Sequence, residues 1–383
     1  MLVKMSDKQQ ACRRLDAYLE ETQEISRAGL NTLANHKYKS GVYTPLDLLF
    51  YKIWWTPVAS LLPKWLAPNL ITFIGFLTTM TNIPLMLYYN PTLESRLPSW
   101  VLAYSGMTVF FYITMDAIDG MQARATKSSS PLGQLFDHGC DCAITTVYSL
   151  MMINGLGIGP DWRAIALVTS VQFAFFLSQW EEKYTGTCRT CVGGLFGVTE
   201  TQLMLMSQMF LSAINPQIGD TIVYENWTFS DSYVALYLSF MILVSLSCVV
   251  GILIKHPLGI TELISVGGLN GAVLLWSLKF DMQPDEYVTA VLALAFCNSF
   301  STIRVIVSSM THTAFPVYHK FAVPFFGLIA ARAIMGYSPS FKLAFVFYLG
   351  ALMDHFVKSL VSIVNEISSY LGIFVFDIVS KRK

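Results

Sequence analysis

The run Asp116-Ala117-Ile118-Asp119-Gly120-Met121-Gln122-Ala123-Arg124, followed after eight residues by Gly133, Asp137 and Asp141, decides how this chain is read. Apolar segments long enough to cross a bilayer flank it on both sides. Four carboxylates therefore stand at or just inside a membrane, where unpaired charge is costly and acids mark function. Placed together they cannot all stay ionised without a counter-charge, because like charges oppose one another's ionisation. A divalent cation removes that conflict. Asp116 and Asp119 are spaced i, i+3, and Asp137 and Asp141 i, i+4, so each pair shares one helix face. Two helix ends with two carboxylates each suit one or two magnesium or manganese ions (Mg²⁺ or Mn²⁺), which favour hard oxygen ligands. Gly120 and Gly133 allow close backbone approach beside the acids, and Arg124 brings a planar fork suited to phosphate. Acids for metal, arginine for phosphate and a membrane address point to phosphoryl chemistry on a lipid.

The spacing D-x-x-D-G-x-x-A-R-x8-G-x-x-x-D-x-x-x-D resembles the signature of the CDP-alcohol phosphotransferases, with every fixed position filled. Ser128-Ser129-Ser130-Pro131-Leu132-Gly133 and Phe136-Asp137-His138-Gly139-Cys140-Asp141 are similar to the eukaryotic choline/ethanolamine phosphotransferase branch. The resemblance runs from Pro68-Asn69-Leu70-Ile71-Thr72 through Glu200, and more loosely to the end. It implies two metals bridged by Asp116, Asp119, Asp137 and Asp141, with a cytidine diphosphate group bound across them. It also implies Arg124 on the pyrophosphate and room for the nucleotide at Gly120, Ala123 and Gly133. Asn69 is either near the nucleotide or a cap for the helix that starts there. Many relatives carry a second arginine where this chain has Ala125, and Lys127 is the candidate replacement.

The acceptor hydroxyl must lose a proton as it attacks phosphorus. Close relatives commonly have glutamate where this chain has Gln134, and an amide cannot take that proton. His138 is the expected general base, with Asp141 as its rival, since histidine titrates near ~6.5. Gln134 and His138 are i, i+4, which predicts that the amide orients the imidazole.

Of 383 residues, 54% are hydrophobic and only 13% charged. A typical soluble chain carries about 25% charged residues, so the expected class is an all-α, polytopic integral membrane protein. A formal net charge of +0 argues against a nucleic-acid partner. The seven cysteines are scattered, and Cys188-Arg189-Thr190-Cys191 is a lone CxxC where structural zinc takes four ligands. About ten transmembrane helices are expected. They fall near 66–89, 98–122, 132–156, 162–180, 201–215, 232–254, 258–278, 286–310, 318–337 and 341–367. Residues 1–65 would form a polar N-terminal tail, without a cleaved signal peptide, and an interfacial amphipathic helix over 43–62. Residues 66–215 would hold the catalytic helices and 216–383 the C-terminal helices.

Loop charge sets the orientation. Arg124, Lys127, Lys183, Arg189, Lys255 and Lys381-Arg382-Lys383 share one side with the basic tail, predicted cytosolic. The loop 216–231 has no Lys or Arg and holds the sequon Asn226-Trp227-Thr228, predicted lumenal. Trp180-Glu181-Glu182-Lys183-Tyr184 reads either as an interfacial belt or as a box for a quaternary ammonium. Asp354 and Lys358 are expected to form an intramembrane ion pair that holds helices together, and His312 and His319 to be structural.

The resemblance implies transfer of phosphocholine or phosphoethanolamine from CDP-choline or CDP-ethanolamine to diacylglycerol, with release of CMP. It also implies a homodimer in an endoplasmic reticulum or Golgi membrane. Within the family the rival is another acceptor such as inositol. From another class the rival is a divalent-cation transporter, whose acids would face one another near mid-bilayer.

Overall fold

In the computed structural model the described residues are 24–315 and 321–378. The basic tail over 1–23, His319 and Lys381-Arg382-Lys383 lie outside the described residues. The described chain is helical apart from two short antiparallel hairpins. A short α1 (Arg27–Leu33) leads into α2 (Pro45–Phe50), a π-helical turn Tyr51–Trp55 and α3 (Thr56–Ser60). This amphipathic stretch leaves Leu48, Leu49, Ile53 and Leu61 exposed, as an interfacial segment does.

Two broken halves, α4 (Pro68–Met80) and α5 (Asn82–Tyr89), precede the long helices α6 (Ser99–Ala125), α7 (Pro131–Leu156) and α8 (Trp162–Thr185). Ser130 caps α7 by accepting from the Gly133 N–H at 3.1 Å, and Pro131 starts it. Gly157 and Gly186 end α7 and α8 in the left-handed conformation that glycine adopts at low cost. A hairpin of β1 (Cys191–Val192) and β2 (Phe196–Gly197) then enters α9 (Val198–Ile214). After it come β3 (Ile222–Tyr224), β4 (Trp227–Thr228), α10 (Phe229–Lys255), α11 (Ile260–Lys279), α12 (Pro284–Thr311), α13 (Ala322–Met335) and α14 (Pro339–Leu371).

All ten expected stretches fall on helix over their described residues. By length and composition, five spans are apolar enough to cross a membrane: Pro68–Tyr89, Ser99–Ala125, Phe229–Lys255, Pro284–Thr311 and Pro339–Leu371. A bent pair over 257–279 makes six if taken as one span. Length and composition alone do not confirm ten spans. α7 and α8 are as long, at 26 and 24 residues, but are walled in by other helices. Their buried faces hold Gln134, His138, Thr146, Asn154, Gln172, Gln179 and Glu182 rather than lipid-facing side chains.

Polar bonds tie this interior together. Asn270 and Asn298 exchange amide hydrogen bonds at 2.9 and 3.0 Å. Asn298 also donates to Gln172 at 2.6 Å, and Gln172 donates to Thr146 at 2.6 Å. The four residues link α11, α12, α8 and α7 across a region where water offers no alternative partner. A buried ion pair, Arg332 to Glu286 at 2.7 Å, fastens α13 to α12. Asp354 and Lys358 do pair, at 2.7 Å, but both side chains are exposed on one face of α14. They brace a single helix and do not join two, because i, i+4 partners meet on their own helix surface. His312 is the left-handed residue that ends α12.

The two ends of the bundle differ. Gly219, ahead of the sequon hairpin, packs on Leu156 at the end of α7, and Asp220 pairs with Arg96 at 2.6 Å. The loop after Arg124 stands at the other end of α7, about 39 Å away for a helix of 26 residues.

Candidate active site

Asp116 and Asp119 lie about three and two turns before Thr126, the C-cap of α6, and Asp137 and Asp141 lie in the first three turns of α7. The tight loop between the helices folds one acidic pair onto the other. One carboxylate oxygen from each of Asp116, Asp137 and Asp141 lies within 4.8 Å of the other two. Asp119 lines the same cavity, and the Thr72 hydroxyl of α4 donates to its carboxylate. Tyr112, one turn before Asp116, donates to Asp141 at 2.8 Å. Asp137 Oδ1 is buried and has no hydrogen-bond partner among the described residues. An unpaired carboxylate oxygen in an all-oxygen cluster is the donor set that Mg²⁺ or Mn²⁺ takes, so these residues fit a hard divalent ion.

The acids open onto a cavity of about 390 Å³ that Arg124, Gly120 and His138 also line. Arg124 is exposed and makes no ion pair among the described residues. Its guanidinium folds back over Gly120, where an added Cβ would stand 3.4 Å from Nη1. Ala123 and Gly133 are not among the cavity-lining residues. Gly133 instead packs beside Ser130 and Asn69, at 3.5 and 3.6 Å from an added Cβ. Asn69 caps nothing: Ala67 is the N-cap of α4, and the Asn69 amide donates to the Val375 carbonyl at 2.8 Å. It pins the C-terminal segment beside α7. Lys127 sits at a left-handed turn outside the cavity lining, so it does not stand in for the missing arginine there.

His138 is buried, 7% exposed, with Nδ1 3.1 Å from Gln179 Oε1 on α8. An amide oxygen only accepts, so Nδ1 carries the hydrogen and the Nε2 lone pair is free to take a proton. The expected partner, Gln134, is engaged elsewhere. It donates to Glu182 Oε1 at 2.8 Å and accepts from His36 Nε2 at 2.8 Å. The i, i+4 expectation fails because both side chains reach across to α8 instead of along α7. Burial holds the Glu182 carboxyl above its usual range, and the Gln134 amide bond acts against that shift.

The segment after α1 is stitched to the site by long-range contacts. Tyr38 meets His138 edge-on at 5.6 Å, Lys39 accepts from the Cys188 N–H at 3.0 Å, and Cys191 Sγ donates to the Val42 carbonyl. His138, Glu182 and Cys188 form a second buried group within 4.8 Å, three potential ligands where structural zinc takes four. The ammonium box does not form. Trp180 is fully buried, Trp180, Lys183 and Tyr184 all bond Glu262, and Glu181 pairs with Arg189 at 3.0 Å. Sequence reading missed Thr72, Tyr112, Gln179 and Tyr148, whose buried hydroxyl lacks a hydrogen-bond partner among the described residues. Only the i, i+4 and i, i+7 spacing of Tyr112 to Asp116 and of Tyr148 to Asp141 could have signalled the two tyrosines.

The sequence model described as CDP-alcohol phosphatidyltransferase matches residues 65–231. An uncharacterised CDP-alcohol phosphatidyltransferase class-I family protein 3 of Dictyostelium discoideum is 38% identical over 50% of this chain and 47% of its own length. Cholinephosphotransferase 1 of Danio rerio is 35% identical over 49% of each chain. The chain thus matches about half the length of these curated relatives. Ethanolaminephosphotransferase 1 of Homo sapiens is 29% identical over 92% of this chain and 94% of its own.

Proposed function

From the match of residues 65–231 to the CDP-alcohol phosphatidyltransferase model, we propose that the chain belongs to that family and moves phosphocholine or phosphoethanolamine from the CDP-alcohol to diacylglycerol, releasing CMP. The observation that carries this reading is the trio Asp116, Asp137 and Asp141, with an unpaired buried oxygen, in one cavity with Arg124 and His138. The four aspartates would hold magnesium or manganese, which supplies charge to neutralise the pyrophosphate and the departing CMP. Arg124, exposed at the mouth, binds and orients the pyrophosphate. His138, fixed by Gln179, takes the proton of the acceptor hydroxyl at Nε2. Asp141 is the rival base, but its Oδ1 already accepts from Tyr112. The reading places the acidic end toward the cytosol of an endoplasmic reticulum or Golgi membrane.

Purified protein in liposomes with diacylglycerol, offered CDP-choline and CDP-ethanolamine in competition, tests this. CMP release with one or both is expected. Flux of divalent metal without CMP release would reject the enzyme in favour of a transporter.

A further inference from the structure

Beside the acids stands a second group of side chains with different chemistry. His138, Glu182 and Cys188 are all buried, and a ring nitrogen, a carboxylate oxygen and the sulfur lie within 4.8 Å of one another. They come from three parts of the fold: α7, α8 and the loop before β1. The chain over 39–41 fixes that loop. The Lys39 carbonyl accepts from the Cys188 N–H at 3.0 Å, and Gly41 packs against the Cys188 carbonyl. Gln179 touches two of the three, accepting from His138 Nδ1 at 3.1 Å and donating to Cys188 Sγ at 3.8 Å. Glu182, 4% exposed, makes no ion pair among the described residues, and the amide that Gln134 offers it brings no charge. A buried carboxylate without a counter-charge is costly.

Nitrogen, sulfur and oxygen donors together suit zinc, whereas magnesium favours the all-oxygen aspartates. Donors around one tetrahedral zinc stand about 3–4 Å apart, so a shift of at most about 1–2 Å closes the trio. Three protein ligands with an open fourth position is the arrangement of zinc sites that admit water. His138 and Cys188 line the acidic cavity, which gives the ion its entry path. Binding releases the thiol proton to solvent, and thiolate and carboxylate then cancel the two charges of the metal.

We propose that His138, Glu182 and Cys188 bind zinc, and that zinc bound there blocks the reaction by occupying its base. A neutral imidazole has one lone pair. Metal on either nitrogen leaves the other as N–H, and nothing remains to take the acceptor's proton. The site stands on the trio alone, whereas the inhibition rests on His138 being the base of the proposed reaction. Cys191, the other half of the CxxC, is outside the trio and gives its thiol to the Val42 carbonyl.

Full-length protein in nanodiscs, kept in excess magnesium, is titrated with cadmium, whose thiolate complexes absorb in the ultraviolet. Zinc is titrated in parallel while CMP release is followed. Wild type should show a cadmium–thiolate band that zinc displaces and magnesium does not, and should lose CMP release over the same zinc range. Cys188→Ser should lose the band. Its half-inhibitory zinc, referred to its own zinc-free rate, should rise by at least about 100-fold, since losing even a ligand's hydrogen-bond partner costs about 10–100-fold. Glu182→Gln, which keeps the thiol, should need about 10–100-fold more cadmium for the same band. Cys191→Ser should keep it. No band in wild type, or an unchanged band in Cys188→Ser, overturns the site. Zinc inhibition that is unchanged in Cys188→Ser and relieved by more magnesium belongs to the aspartates and overturns the blocking role. If wild type releases no CMP, the proposed activity fails, while the cadmium band still decides whether the trio binds metal.

Discussion

Gln134→Glu turns an amide into a carboxylate at a position where both ends of the amide are in use. The Nε2 that donates to Glu182 at 2.8 Å becomes an oxygen facing an oxygen, in a pocket where Glu182 is 4% exposed. Two charges at that distance repel by about 6 kcal/mol at an effective dielectric of about 20. A proton is the cheaper relief, taken by one of the two carboxylates. Protonating an ordinary glutamate at pH 7 costs about 4 kcal/mol, which caps the loss of stability. The unfolded chain releases that proton in the usual carboxylate range and the folded chain keeps it, so stability falls as pH rises. The deficit against wild type should shrink by about 1.4 kcal/mol per pH unit, to about 1 kcal/mol near pH 5. Thermal unfolding in detergent, followed by reaction of the buried cysteines Cys140, Cys142, Cys188, Cys191, Cys248 and Cys297 with a thiol dye, measures this. Each pH is referred to wild type at the same pH. A variant as stable as wild type at pH 7.5, or a deficit that does not change with pH, would refute the reasoning.

Asn in place of Asp116, Asp137 or Asp141 should lower CMP release by about 10²–10³-fold or more, with the unfolding temperature kept; all three variants staying active would exclude the metal cluster. His138→Ala should slow the chemical step by about 10²–10⁴-fold while calorimetry still detects CDP-choline binding. Normal turnover of that variant would move the proton to Asp141. A cysteine placed at Ser129 and a glycan at Asn226 should report opposite faces of sealed vesicles, since their loops stand at opposite ends of α7; modification from the same side would contradict the bundle.

The acids were legible because their partners are local. Helical spacing put Asp116 with Asp119 and Asp137 with Asp141, and a short turn did the rest. What stayed hidden comes from far along the chain. Thr72 reaches Asp119 across 47 residues, Gln179 reaches His138 across 41 and Glu182 reaches Gln134 across 48. Spacing within α7 suggested that Gln134 served His138, and nothing local announces that α8 claims both. The span count, which composition alone does not confirm, is a related case. Hydropathy reports what faces lipid, and α7 and α8 face other helices, so their polar side chains answer to neighbours that periodicity does not name.

The amide chain through Asn270, Asn298, Gln172 and Thr146 sets the register of four helices at once. Sliding any one of them by a residue would strand several amides where no solvent can compensate. Asp137 and Asp141 ride on that locked block through α7, whereas Asp116 and Asp119 ride on α6, which the chain does not include. The acidic site is therefore a seam between two rigid pieces. Its aperture follows the tilt of α6 against α7, and Tyr112 reaches across the seam to bond Asp141. A bound cation would act there as a clasp as well as a charge, drawing shut a joint between two pieces that carry the acids separately.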